Sequence, residues 1–150
     1  MTIVTPPRKE IWVRKFYIDD VTNGTVTTIF RPSRRLLHEN HPKALGAGEI
    51  VKVRVVDKPG ADWKKVYGEL LLHPNRAAQI TDVEVRKFTE FVDPADFVGS
   101  TADVQNNQEL RINLAHIYNM AASGFGDHLW VTRTRFEYVP ALDAHGFSLT

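Results

Sequence analysis

Residues 25–35 read Thr25-Val26-Thr27-Thr28-Ile29-Phe30-Arg31-Pro32-Ser33-Arg34-Arg35. Threonine, valine and isoleucine favour a pleated strand, because their branched Cβ atoms fit its surface. The residue before a proline is pushed out of the α region, so Arg31 is extended and the chain bends at Pro32-Ser33. The stretch therefore predicts a strand over 25–30 that ends in a cationic loop carrying Arg31, Arg34 and Arg35. Arginine forks suit phosphates, carboxylates and flat bases. The same cluster also reads as a solvated surface turn.

Upstream, Ile11 to Ile18 reads as a strand or a short mixed element. Asp19-Asp20 and Asn23-Gly24 supply turn chemistry, with Gly24 free to take positive φ. Downstream, residues 36–47 read as irregular, with Pro42 and Gly46 as breakers. Glu49 to Asp57 alternates: Val51, Val53 and Val55 face one way, and Ile50, Lys52 and Arg54 the other. That is the mark of a half-buried strand. Val66 to His73 is expected to pair back against it and to end at Pro74-Asn75. Ala78 to Phe88 alternates again, with Ile80, Val83 and Val85 apolar and Asp82, Glu84 and Arg86 exposed. Its phase slips near Thr81-Asp82, as at a bulge. Phe91 to Ser100 is a loop or short helix around Pro94-Ala95-Asp96-Phe97. A helix is predicted over 103–122, since Leu110, Leu114, Ile117 and Ala121 share one face. Ser123-Gly124 closes it, and His128 to Val139 is the final strand. The order predicts an α+β fold: a mixed, partly closed β-barrel of about six strands with one main helix before the last strand.

The chain has 150 residues, 43% apolar and 25% charged. This is ordinary for one globular domain, expected over 1–150 with its core over about 11–140. There is no cysteine, which excludes a disulfide framework and a thiolate zinc site. The first ten residues lack the apolar centre of a signal peptide. No apolar run approaches the roughly 20 residues that cross a bilayer. A cytoplasmic protein without a membrane partner is the expectation. Residues 1–58 hold 11 Lys/Arg and 6 Asp/Glu, while residues 59–150 hold 8 and 12. A basic first third on a nearly neutral chain argues against sequence-blind coating of DNA and permits a local anionic contact.

Other constellations are weaker. His38 and His41 fall three apart in an apparent loop, and a metal centre needs a third ligand and a rigid frame; no metal and no cofactor is expected. Gly46-Ala47-Gly48 lacks the third glycine of a dinucleotide fingerprint. Ser123, Asp127 and His128 are adjacent in sequence, but a triad needs spatial order. Thr27 and Thr28 are nucleophiles only beside a base, and none is evident. Trp12, Trp63 and Trp130 are candidates for base stacking, worth roughly 1–3 kcal/mol per base, or are partly buried core.

In their joint order, several pieces resemble the ASCH domains of the PUA-like superfamily. They are Phe16-x-x-Asp19-Asp20-Val21-x-x-Gly24, Thr27-Thr28-Ile29-Phe30-Arg31-Pro32, Gly48-Glu49-Ile50-Val51-Lys52-Val53, Ala78-Gln79-Ile80-Thr81-Asp82-Val83-Glu84, and the helix 109–121 before the last strand. The resemblance covers about residues 15–140. It implies a barrel with a cleft beside the first loop, and an RNA- or nucleoside-related role. Some small ASCH proteins are similar to amidohydrolases that cleave acyl groups from modified cytidine. Those use a lysine just after the first glycine turn, a threonine three residues on, and a glutamate before the last helix. Here Val26 stands at the lysine position and Ile29 at the threonine position. Val104, Gln105 and Asn106 lie near the acid position. Arg31 matches a basic residue of the family's pocket strand.

Three functional readings follow. The first is a non-catalytic ASCH/PUA-like module that binds RNA or a modified nucleoside. In it Arg31, Arg34, Arg35 and Lys43 hold phosphate, and Thr27, Thr28 and Trp130 face the base. The second is an amidohydrolase or nuclease on the same fold, with acid–base work from Glu49 or His128. The third is a small protein-interaction or inhibitor module whose cationic loop meets an acidic protein.

Overall fold

The computed structural model describes residues 9–14, 17–56, 70–117 and 129–141. The chain order is β1 (Glu10–Arg14), α1 (Ile18–Thr22), β2 (Thr28–Pro32), β3 (Ile50–Val56), β4 (Leu70–Lys87), α2 (Asn107–Ile117) and β5 (Trp130–Tyr138). The strands form one mixed sheet in the order β1-β3-β4-β5-β2. β1 runs parallel to β3, and the other neighbours are antiparallel. The fold is α+β, and the sheet stops short of a closed barrel. β1 and β2 remain its two edges, with a seam between them.

Five strands stand among the described residues, rather than about six. Residues 70–73 of the segment expected at 66–73 and residues 78–87 of the one expected at 78–88 are parts of one strand, β4, while residues 66–69 lie outside the described residues. Pro74 does not end it, because β5 reaches only as far as the Ala78–Tyr138 pair. Before that point β4 has β3 alone as neighbour, and its register with β3 slips between Arg54 and Val56. A proline is tolerated at such a bulge, where the ladder with β3 is already interrupted. The phase slip expected near Thr81-Asp82 is a register shift between Ile80 and Asp82 against β5.

Local chemistry moves other boundaries. The first strand ends at Arg14, and Asp19-Asp20 lies in the first turn of α1, where acids complement the helix dipole. Gly24 adopts φ 73°, as its place after that helix requires. The main helix starts at Asn107 rather than 103. Asn106 Oδ1 accepts from the Glu109 N–H at 2.9 Å, the bond of an N-cap residue. The predicted close at Ser123-Gly124 lies outside the described residues.

Neighbouring residues of one strand divide between two cores. Ile29 packs with Val13, Val26, Val53, Ile80 and Phe136 on the inner face. Phe30 packs with Phe88, Phe91, Phe97, Leu110 and Leu114 under α2. Burying each such side chain contributes roughly 1.5–3 kcal/mol. Lys52, expected on a solvated face, is only 4% exposed, because β3 lies between β1 and β4.

A second correction concerns Glu84 and Arg86. They are half-buried and join an ion network with Arg133 and Asp96, whose side chains are 5% and 8% exposed. Arg86 grips Asp96 at 2.9 and 3.1 Å, and Arg133 Nη1 reaches the same carboxylate at 2.8 Å. The network ties the 3-10 turn Pro94–Phe97 to β4 and β5. No helix among the described residues is long and apolar enough to cross a membrane.

Candidate functional site

The open seam is where the chain brings its polar groups together. Ser33 N–H donates to Trp130 O, and Phe136 N–H to Thr27 O. Antiparallel pairing alternates, so Ile29 and Arg31 bond β5 while Thr28, Phe30 and Pro32 turn their backbone to the open edge. Pro32 has no N–H to offer there. Arg31 Nη1 donates to Phe30 O at 3.0 Å, and its Nη2 to Trp12 O in β1 at 2.9 Å. One guanidinium thus bridges the two sheet edges.

Beside it lies a cleft of about 50 Å3. Its walls are apolar, including Val13, Val26, Ile29, Val104 and Leu110, and its polar lining comprises Tyr17, Thr28, Arg31, Ser100, Thr101 and Asn113. A buried water needs roughly 10–15 Å3 of such space, so the enclosed part holds a ring edge or small substituent rather than a whole nucleoside.

The roof is clamped to β2 by backbone. Gly99 O accepts from Thr27 N–H and Thr28 N–H at 2.8 and 3.1 Å. Thr28 Oγ1 donates to Val98 O at 2.7 Å. Gly99 sits at φ 83°, and a Cβ there would lie 2.2 Å from Thr27 Oγ1. Only glycine meets both demands. At the far wall Tyr17 OH donates to Asp103 Oδ2 at 2.6 Å and accepts from Asn113 Nδ2 at 3.1 Å. Thr101 Oγ1 donates to the other oxygen of Asp103 at 2.6 Å.

Of the residues singled out by sequence, Trp12, Thr28 and Arg31 line the cleft. Thr27 lies against Gly99 in the roof clamp. Arg34, Arg35 and Lys43 stand on the loop beyond Pro32, and Trp130 opens β5. Arg34 lies over the Trp130 ring, 4.4 Å from its centroid, with Lys87 Nζ at 5.7 Å. Arg34 also donates to Glu39 through Nε at 3.0 Å and Nη2 at 2.8 Å. That pairing raises the Arg34 pKa and lowers that of Glu39. The Arg35 N–H donates to Thr132 Oγ1, and its Nε to Pro32 O. Lys43 is exposed, and its backbone N–H donates to His41 Nδ1 at 3.0 Å. Burial, then the charges of Arg35 and Lys43, lower the His41 pKa.

Among the described residues, no three of His, Asp and Glu come together as metal ligands. Glu49 accepts from Gly46 N–H at 3.0 Å and pairs with Lys9 Nζ at 3.1 Å. Burial raises its pKa, but those two partners outweigh it and hold the carboxyl below its ordinary value. It pins the turn into β3 and is not part of the cleft lining. His128 lies outside the described residues. Sequence reasoning missed Tyr17, Gly99, Ser100, Thr101, Asp103 and Asn113. The only local trace is Gly99 beside Ser100-Thr101, and nothing in sequence links that segment to Tyr17.

The positions matched to the hydrolase lysine and threonine, Val26 and Ile29, both line the cleft, with Val104 from the acid region. Gln105 instead donates to Ser100 O and Thr101 O, and Asn106 caps α2.

No protein-family model matches the sequence, and no curated protein matches it significantly. Solved structures do match. One is a protein of Enterococcus faecalis V583 from the family DUF984, with a TM-score of 0.55 and 14% identity over 93% of this chain and 83% of that one. Another is an ASCH domain from Lactobacillus crispatus JV V101, with a TM-score of 0.53 and 11% identity over 88% of this chain and 80% of that one. The likeness establishes an ASCH-like, PUA-like α+β fold.

Proposed function

We propose that this protein is a non-catalytic, cytoplasmic module that binds RNA or a modified nucleoside at the seam of an ASCH-like sheet. The observation that carries this reading is the cleft itself. Thr28, Tyr17 and Asn113 give it hydroxyl and amide groups suited to a base edge, and Arg31 places a cation at its border. Its apolar floor suits a base substituent, and the enclosed space matches one in size. Val26 and Ile29 stand where the resembling hydrolases carry a lysine and a threonine. Neither can attack a carbonyl or move a proton, which supports binding without deacylation.

The test is titration of a panel of plain and base-modified nucleosides, followed by backbone amide NMR. Binding is expected to shift Thr28, Tyr17, Ser100 and Asn113, and Thr28→Val is expected to weaken it. A panel that moves none of these amides overturns the proposal.

A further inference from the structure

The loop beyond Pro32 holds a cation whose partner is a neighbouring carboxylate. Arg34 is fixed by Trp130 on its face and by Glu39 on its fork, Nε at 3.0 Å and Nη2 at 2.8 Å. Lys87 stands 5.7 Å from the same ring centroid. Glu39 thus lies beside Arg34, with the His38 ring at 3.6 Å, and Arg35 and Lys43 add charge around His41. A carboxylate and a phosphodiester present the same paired oxygens to a guanidinium fork. The loop is also held in a particular shape. Ser33 at its start has φ 80° and Asn40 at its end φ 57°, a left-handed backbone that serine rarely adopts. Such departures concentrate at ligand clamps.

We propose that Arg34, held over the Trp130 ring, is a phosphodiester site for a single-stranded RNA whose neighbouring nucleotide enters the cleft, and that Glu39 fills this site in the free protein. The inference rests on the nucleotide-binding reading of the cleft and narrows its ligand from a free nucleoside to a strand. Binding exchanges one ion pair for another: the Glu39 carboxylate leaves the fork, a phosphate takes it, and Arg34 stays on Trp130. Glu39 is then an internal competitor that tunes affinity.

The test compares the wild type, Glu39→Gln, Arg34→Ala and the double variant. Each is titrated with a short single-stranded RNA at several salt concentrations, and separately with the nucleoside that the cleft binds best. Exposed ion pairs are weak, so Glu39→Gln is expected to tighten RNA binding about two- to fivefold. Arg34→Ala is expected to weaken it and to lower the log–log salt slope by about 0.7. The Glu39→Gln gain is expected to vanish in the double variant, and nucleoside binding to be unchanged throughout. If Glu39→Gln binds RNA no better than the wild type, the inference falls while the cleft reading stands. If the gain persists without Arg34, it reflects bulk charge and the inference also falls. If the wild type binds neither RNA nor nucleoside, both fall.

Discussion

The guanidinium of Arg31 donates to the carbonyl oxygen of Trp12 at 2.9 Å, across the gap between the two edge strands. Its other terminal nitrogen holds Phe30 O. Arg31 is therefore a fastener of the seam as well as a cation at the cleft border. Arg31→Ala is expected to lower stability by about 1–3 kcal/mol, since it leaves two carbonyls without these donors. Urea denaturation reads this. Lysine lacks the fork, so Arg31→Lys is expected to restore less than half. RNA affinity is expected to fall with little change in salt slope.

Gly99 offers a test of the roof. Its left-handed backbone costs any other residue roughly 1–2 kcal/mol, and its Cβ would meet Thr27 Oγ1. Gly99→Ala is expected to cost about 2 kcal/mol or more by denaturation. Ligand binding is expected to be lost even where circular dichroism shows the fold intact.

The network at Asp96 predicts both stability and its pH dependence. Asp96→Ala leaves Arg133 as a buried charge with weakened compensation, a change expected to cost about 3–5 kcal/mol. The hydrogen bond from Arg86 is the main cause holding both Asp96 and Glu84 below their ordinary pKa values. A carboxyl with a depressed folded pKa stabilises the fold above its unfolded pKa, and the contribution is lost as pH falls through the folded value. The unfolded values are 3.8 for Asp96 and 4.5 for Glu84. Stability is thus expected to be flat near neutrality and to fall below about pH 4. Melting temperature against pH checks this, and Asp96→Ala is expected to flatten the acid limb.

Replacing both Arg34 and Arg35 with alanine removes two cations beyond Pro32. If each contacts a phosphate, the salt slope on single-stranded RNA is expected to drop by roughly 1.4. Arg76→Ala with Arg111→Ala is the charge-matched control and is expected to change it less. Equal behaviour of the two pairs would mark the loop as a solvated turn.

No deacylation of N4-acetylcytidine is expected above the uncatalysed background, because Val26, Ile29 and Val104 carry no proton-transferring group. Chromatography at high protein concentration measures product directly. Clear turnover that disappears on Tyr17→Phe or Asp103→Asn would overturn the non-catalytic reading.

The parts of this fold that obey local rules can be read from sequence. Alternation places Val51, Val53 and Val55 inward, the phase slip at Thr81-Asp82 marks a bulge, and Gly24 takes the positive φ its turn needs. The start of α2 was also legible, in Asn106 followed three residues later by Glu109, yet an earlier acid at Asp103 draws the eye. What sequence hides is decided by partners far along the chain. Pro74 reads as a strand end until β5 is seen to stop short of it. Glu84 and Arg86 read as solvated until Asp96 and Arg133 meet them. The site splits for the same reason: Arg31 finds a backbone carbonyl in β1, Arg34 finds Glu39, and Tyr17 meets Asp103 only when α1 and the roof converge.

The cleft wall exists only where β2 lies along β5, with Thr28 opposite Arg135 and Arg31 opposite Thr132. Those partners come from opposite ends of the sequence, so loop closure must be met before the pairing rewards it. Synthesis proceeds from the N-terminus, and β1, β2 and β3 leave the ribosome well ahead of β5. A nascent chain therefore displays its arginine loop before the cleft beside it exists. The cleft is complete only in the step by which β5 joins the sheet.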